Sequence, residues 1–143
     1  MSLWFGKKEP LFQGSGLLDE EGFHSILQSN PHIQKVVITR RYNINPSTNV
    51  RLIYLSKVPH PGHVDPSKLH ILEQTIWRLL QDSQSDVILD AFEYLVIENG
   101  LDTALKFTGK LRDTAVLAGS NFYVTVSGAL DERTIHMLRR ILD

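Results

Sequence analysis

The sequence predicts an α/β fold, with a mainly parallel sheet of about four strands and helices packed on both faces in three layers. After residue 50, short apolar runs typical of strands alternate three times with longer segments of helical period. The run Val87–Leu89 lies between acids at Asp86 and Asp90, a pattern typical of a strand that is buried on both faces. Because strand–helix–strand units cross over right-handed, we expect neighbouring strands to run parallel.

The composition is that of an ordinary globular domain. The chain has 143 residues, of which 42% are apolar and 22% charged, and its formal net charge of −1 argues against a broad nucleic-acid surface. It contains no cysteine, which excludes disulfides, thiolate catalysis and zinc–cysteine sites. No run approaches the roughly 20 apolar residues that span a bilayer, and the first residues lack the apolar core of a signal peptide. We therefore expect a cytoplasmic protein without a membrane span.

The chain is expected to divide into a flexible arm over residues 1–16 and a single α/β domain over residues 17–143. The arm contains four glycines and prolines and shows no hydrophobic period. Its residues 11–14, Leu-Phe-Gln-Gly, resemble the cleavage site of a picornaviral protease used in cloning, so part of the arm could originate from cloning. We place no function on it.

Apolar spacing and helix-breaking residues give the order of elements within the domain. The residue before Pro31 resists the α conformation and so ends the first helix. Asp65 is expected to cap a helix that begins at Pro66, and Asn99-Gly100 predicts a kink or break within a later helix. The predicted elements are a helix over residues 17–29, strands over 35–39 and 51–56, a helix over 66–81, a strand over 87–90, a helix over 92–118, a strand over 122–126 and a helix over 131–142.

Asp90 and Glu93 lie at the corner where the predicted third strand turns into a helix. Ligands of open α/β sheets usually bind at such corners, and a carboxylate there holds magnesium in many phosphate-transferring proteins. The companion loop that cradles phosphate, Gly-x-x-x-x-Gly-Lys-Ser/Thr, is absent from the chain. The alternative interpretation is structural, with Asp90 serving only as the cap of the following helix.

Two further groups of residues have a functional and a structural interpretation. Three histidines, His60, His63 and His70, could bind zinc, but the prolines and the glycine among them favour a solvated turn. Arg40, Arg41 and Arg51 could bind an anion or a nucleic-acid backbone, and surface salt bridges are the alternative that we favour. The Gly-x-Ser-x-Gly motif, which holds the nucleophilic serine of many hydrolases, is absent from the sequence. We expect no catalytic residue and no metal site.

The stretch from Val87 to Gly100 closely resembles a signature of archaeal proteins catalogued as "domain of unknown function 835". The signature consists of a hydrophobic strand, Leu-Asp-Gly, Glu-Tyr-Leu and Asn-Gly; here Ala91 stands in place of the glycine, and Leu101 replaces a common phenylalanine. The resemblance covers roughly residues 35–143. Its other matching segments are Val37–Arg40, Ile53–Ser56, Asp65-Pro66, Leu105–Phe107, Leu111–Asp113 and Ala129–Glu132.

The resemblance implies a RecA-like ATPase core that has lost its phosphate-binding loop, with Asp90 in the place of the magnesium-organising aspartate. It favours a non-catalytic regulatory, sensory or protein-interaction domain, with a protein partner or a second copy in a homodimer. No cofactor is expected; the alternative is a residual nucleotide or anion binder, with Mg-ATP as its ligand. Its candidate ligand-binding residues, at the carboxyl ends of strands, are Thr39, Arg40, Asp90 and Glu93.

Overall fold

The computed structural model describes residues 15–45 and 47–143, which form a six-stranded sheet and five α-helices. All strand pairs are parallel, and the strands lie in the order β1-β6-β5-β2-β3-β4. The predicted α/β class is thereby confirmed. In chain order, the elements are β1 (Ser15–Leu18), α1 (Glu20–Gln28), β2 (Gln34–Thr39), β3 (Val50–Leu55), β4 (His63–Val64), α2 (Leu69–Asp82), β5 (Ser85–Asp90), α3 (Phe92–Asn99), α4 (Leu101–Leu117), β6 (Phe122–Thr125) and α5 (Glu132–Leu142).

The two strands beyond the predicted four are the short edge strands β1 and β4. β1 includes Ser15 and Gly16, which we assigned to the arm, and two leucines that we assigned to the first helix. That helix begins later, because Asp19 adopts an extended backbone and its carboxylate accepts a hydrogen bond from the Gly22 N–H at 2.7 Å. Residues 1–14, the rest of the predicted arm, lie outside the described residues.

Two other helix boundaries involve residues that the sequence predicts to cap or to break a helix. Asp65 does not cap α2, which begins at Leu69; its carboxylate instead accepts bonds from the backbone and hydroxyl of Ser67, so it closes a turn before the helix. The break at Asn99-Gly100 is confirmed, since the left-handed φ of 88° at Gly100 separates α3 from α4. Among the described residues, no helix is long and apolar enough to cross a membrane.

The core has two unequal halves, one on each face of the sheet. On the front face, alternate residues such as Ile38 and Leu89 pack with side chains of α2, α3, α4 and α5. On the back face, Val37 and Ile88 pack with Phe23 of α1 and with Ile44 of the β2–β3 connection. Of the five described helices, α1 alone packs on this face, which makes the back layer of the sandwich thin.

Crossover handedness explains this inequality. The connections from β1 to β2, β2 to β3 and β3 to β4 run one way along the sheet, whereas those from β4 to β5 and β5 to β6 run the other way. Right-handed crossovers that run in opposite directions lie on opposite faces. The long helices belong to the second group and therefore share the front face.

The same reversal creates a crevice between β2 and β5, which are neighbours in the sheet. The chain leaves the carboxyl end of β2 towards β3 and the carboxyl end of β5 towards β6, so the two connections diverge. Ligands of open α/β sheets usually bind at such a switch point. Thr39 ends β2 and Asp90 ends β5, so the topology brings these two predicted site residues to one place.

Candidate functional site

Three polar side chains form a row across the carboxyl ends of neighbouring strands on the back face. The sheet register pairs Thr39 with Asp90, and the pairing of Leu89 with Val124 puts Thr125 next to Asp90 on the other side. The Thr39 hydroxyl donates a hydrogen bond of 2.6 Å to Asp90 Oδ2. The Asp90 side chain is only 3% exposed, so its charge requires compensation from within the protein.

Arg41 supplies that compensation. Its Nε donates to Asp90 Oδ2 at 2.7 Å and its Nη2 to Oδ1 at 3.1 Å, so the guanidinium binds the carboxylate through both oxygens. The Arg41 backbone N–H also donates to the Thr39 hydroxyl at 2.9 Å. A metal ion could therefore reach Asp90 only if Arg41 moved away. The helix-cap interpretation of Asp90 is wrong, because the residue at the cap position of α3 is Ala91 and no side chain caps this helix.

The same guanidinium binds a second carboxylate, at the start of α1. Nη1 and Nη2 of Arg41 donate to the two oxygens of Glu20 at 2.6 and 2.8 Å, and the guanidinium carbon lies 4.2 Å from the centre of the Phe23 ring. Hydrogen bonding to Arg41, and secondarily to His24, lowers the pKa of Glu20 to about 2. The same pairing, with Glu20 first, raises the pKa of Arg41. Arg41 thus ties β2, β5 and α1 together.

The two other predicted ligand residues lie apart from this network. Arg40 extends towards the front: its Nη1 donates to the Leu55 carbonyl at 2.8 Å, and its guanidinium stacks 4.0 Å from the centre of the Tyr94 ring. Glu93 Oε2 accepts a hydrogen bond from the Ser127 N–H at 3.0 Å. The structure therefore brings Thr39 into contact with Asp90, directs the Arg40 side chain towards the front face, and places Glu93 in a hydrogen bond with Ser127 outside the Arg41 network.

Sequence analysis missed Arg41 as the partner of Asp90, because it grouped this residue with Arg40 as a charged patch. A signal was present. Side chains alternate between faces along an extended segment, so a residue two positions after Thr39 points to the same side of the sheet. That is the side on which Asp90 lies.

A cleft of about 450 Å³ opens at these strand ends, which we name the switch-point cleft. Of the residues that the structure describes, four carboxylates and one guanidinium line it, which gives this lining excess negative charge. Another cavity, of about 430 Å³, lies on the back face between α1 and the β2–β3 connection, and no described carboxylate lines it. The switch-point cleft is lined by Asp19, Glu20, Arg41, Asp90, Glu93, Thr125, Val126, Ser127 and Gly128.

The histidines do not converge on one point. The rings of His60 and His63 lie 4.9 Å apart beside the stacked pair Tyr42 and Tyr54, and ring nitrogens of both histidines lie 2.9 Å from backbone carbonyls. His70 lies elsewhere, in the groove between α2 and α4. Within residues 15–45 and 47–143, no cluster of three or more histidines and carboxylates is arranged to hold a metal ion.

We predict that Arg41 and Asp90 are strongly coupled in stability. Arg41→Met should lower the free energy of unfolding by about 3–5 kcal/mol, because it leaves the Asp90 charge buried and unpaired. Adding Asp90→Asn removes that charge and should recover part of the loss, with a coupling energy of about 1.5–3 kcal/mol in a double-mutant cycle measured by urea unfolding. The matched control is Arg51→Met, an exposed arginine, with an expected change below about 0.5 kcal/mol. Additive effects of the two substitutions would contradict the prediction.

We also predict a pH-dependent contribution from Glu20. Because the folded pKa lies below the ordinary value of 4.5, the ion pair stabilises the fold above that pH, and the stabilisation is lost as the pH falls towards 2. The Glu20 side chain is 65% exposed, so solvent screening limits the loss in Glu20→Gln to about 0.5–1 kcal/mol at pH 7. Urea unfolding between pH 7 and pH 2.5 measures it.

The control for this prediction is Glu21→Gln, which removes the neighbouring exposed acid of the same helix turn. Its effect on stability should be smaller and should change little with pH. If the loss in Glu20→Gln stayed constant down to pH 2.5, the Glu20–Arg41 pair would not be its cause.

Comparison with known proteins identifies one family. The family model described as "Protein of unknown function (DUF835)" matches residues 18–142, in agreement with the resemblance of residues 87–100. No curated protein matches the chain. The likeness to a RecA-type core and the archaeal origin stay predictions.

Proposed function

The chain belongs to this family of proteins of unknown function, and we propose that it is a non-catalytic, cytoplasmic interaction domain with a regulatory role. One observation carries the proposal: at the switch point of the sheet, where an α/β enzyme would hold its reactive groups, Arg41 neutralises the carboxylate of Asp90, whose side chain is only 3% exposed. Both Asp90 oxygens already accept hydrogen bonds, so a metal–nucleotide would have to displace Arg41 to bind this acid.

The cleft chemistry also disfavours a nucleotide. Four of the five N–H groups of the Arg41 side chain already donate to carboxylates. The remaining charged groups of the switch-point cleft are acids, which would repel phosphate at close range. The alternative function, a residual nucleotide or anion binder, would therefore require the Arg41 network to open.

The outer helices offer apolar area for a protein partner. Trp77 of α2 is 55% exposed and Leu117 of α4 is 88% exposed. His70 and Lys110 line the groove between these helices, and Trp77 and Leu117 each lie seven residues further on, a spacing that returns to the same face. Both side chains therefore flank the same groove, next to its end at the carboxyl termini of α2 and α4. The groove is also lined by two lysines, Lys106 and Lys110, and one acid, Glu73; this excess of positive charge favours a partner segment that combines apolar and acidic residues.

The nucleotide question can be tested directly by an amide NMR titration with ATP and Mg²⁺ up to millimolar concentration. We expect no localised shifts at the Thr39, Asp90 or Ser127 amides and no ATP hydrolysis above the buffer rate. The comparison variant is Asp90→Asn, which should give the same response as the native chain. Saturable shifts at these amides that Asp90→Asn removes would overturn the proposal in favour of the nucleotide binder.

The interaction role can be tested by photo-crosslinking in cells of the organism that encodes the chain. Benzoylphenylalanine in place of Trp77 should give a discrete adduct, because this position borders the groove. The same group in place of Arg78, exposed on another side of α2, is the matched control and should give none. An adduct made only of this chain would identify the partner as a second copy. Absence of any adduct from Trp77, or equal adducts from both positions, would contradict the proposed role of this groove.

A further inference from the structure

The switch-point cleft contains a buried hydroxyl without a partner. Thr125 is 8% exposed, and its Oγ1 makes no hydrogen bond with any described residue. Thr125 and Thr39 flank Asp90 on neighbouring strands, yet only Thr39 is bonded to it. A buried hydroxyl that stays unpaired is costly. Thr125 lines the cleft, so a group that enters the cleft can supply the missing partner when the side chain rotates its hydroxyl, which is closed to solvent here, towards it.

Two carboxylates of the same cleft have free acceptor capacity. Asp19 uses Oδ1 for the Gly22 N–H at the start of α1, and Glu93 uses Oε2 for the Ser127 N–H. The second oxygen of each accepts no hydrogen bond within the described part of the chain. The Thr125 hydroxyl can accept as well as donate, so it and the two carboxylate oxygens give this lining three acceptors for a donor group.

The acceptor set and the charge together define the ligand class. With four carboxylates against one guanidinium, the lining favours a cation. The described histidines and carboxylates have no arrangement that would hold a metal ion, so the cation should be an organic one that hydrogen-bonds. An ammonium or guanidinium group supplies three or five N–H donors, and a cleft of about 450 Å³ admits either on an alkyl chain.

The chain itself contains an example of this recognition. The Arg41 guanidinium lies against the same lining, between Glu20 and Asp90, and binds both carboxylates at 2.6–3.1 Å. Among the described residues, Asp19 and Glu93 are the remaining acids of the cleft, and no arginine or lysine other than Arg41 lines it. In this described lining, one guanidinium therefore stands against four carboxylates and binds two of them.

We propose that the switch-point cleft binds an alkylammonium or guanidinium group through Glu93, Asp19 and the Thr125 hydroxyl. Arg41 and Asp90 form the fixed wall, and the incoming cation occupies the open side. Such a group could come from a small amine or from a lysine or arginine side chain of a protein. This inference goes beyond the proposed interaction groove between α2 and α4 and does not depend on it.

The test is an amide NMR titration with butylammonium and with methylguanidinium at constant ionic strength. We expect localised, saturable shifts at Thr125, Ser127 and Gly128, with a dissociation constant in the millimolar range or lower. Butanol, the neutral counterpart, and Mg²⁺ should produce no such pattern. Equal shifts with Mg²⁺ or sodium would mean general charge screening and would overturn the proposal.

Three nearly isosteric variants test the ligand groups. Glu93→Gln should weaken binding about tenfold, because it removes a charge-assisted bond but keeps an acceptor for Ser127. Asp19→Asn should also weaken it, while the asparagine still caps α1. The matched control is Glu132→Gln, a first-turn acid of α5 outside the cleft, with unchanged affinity expected. An equal effect of Glu93→Gln and Glu132→Gln would reject the site.

Thr125→Val separates the binding role from a role in folding. The variant should weaken binding several-fold, yet its unfolding midpoint should stay unchanged or rise, because a methyl group replaces an unpaired buried hydroxyl. A lower midpoint with unchanged affinity would show that the hydroxyl serves the fold and would overturn the proposal.

A peptide comparison identifies the source of the cation. The probes are a blocked Gly-Arg-Gly tripeptide and the same peptide with glutamine in place of arginine. Binding of the arginine peptide at least as tight as that of methylguanidinium supports a protein side chain as the ligand. Binding of the free cations alone supports a small amine, and binding of the glutamine peptide with equal affinity contradicts recognition of the charge.

Discussion

The ion pair between Arg41 and Asp90 is the interaction on which the structure at the carboxyl ends of the strands depends. Asp90 ends the central strand β5 with its side chain 3% exposed, where an unpaired charge would be strongly destabilising. Arg41 neutralises it and simultaneously reaches Glu20 at the start of α1. Among the described helices α1 alone packs on the back face, so Arg41 adds a polar link between the central strands and this helix, beside the apolar packing of Phe23 and Ile26.

The topology explains why acids collect around this pair. Helices α1 and α3 both begin at the carboxyl end of the sheet, directly after β1 and β5. Helix amino ends carry partial positive charge and stabilise acids in the first turn, where Glu20 and Glu93 lie. Each acid is thus locally favourable for its own helix. Together they give a cleft whose charge exceeds what Arg41 alone compensates.

The sequence was most informative where local pattern and tertiary environment agree. Three apolar residues between two acids were sufficient to place β5, because a strand covered on both faces needs no alternation. The edge strand β1 could not be found in this way. Its two leucines also suit a helical stripe, and only pairing with the distant β6 decides between them. The Arg41 network was missed for a related reason: its partners lie 21 and 49 positions away.

The two threonines beside Asp90 separate the requirements of the fold from those of the cleft. Thr39 is fully used, since its hydroxyl donates to Asp90 and accepts from the Arg41 backbone. Thr125 has the equivalent position on the other neighbouring strand, but Arg41 and Thr39 already occupy both Asp90 oxygens. Valine has the same shape and would avoid an unpaired buried hydroxyl, so folding alone gives no reason for threonine here. A ligand that enters the acidic cleft and donates to this hydroxyl gives one.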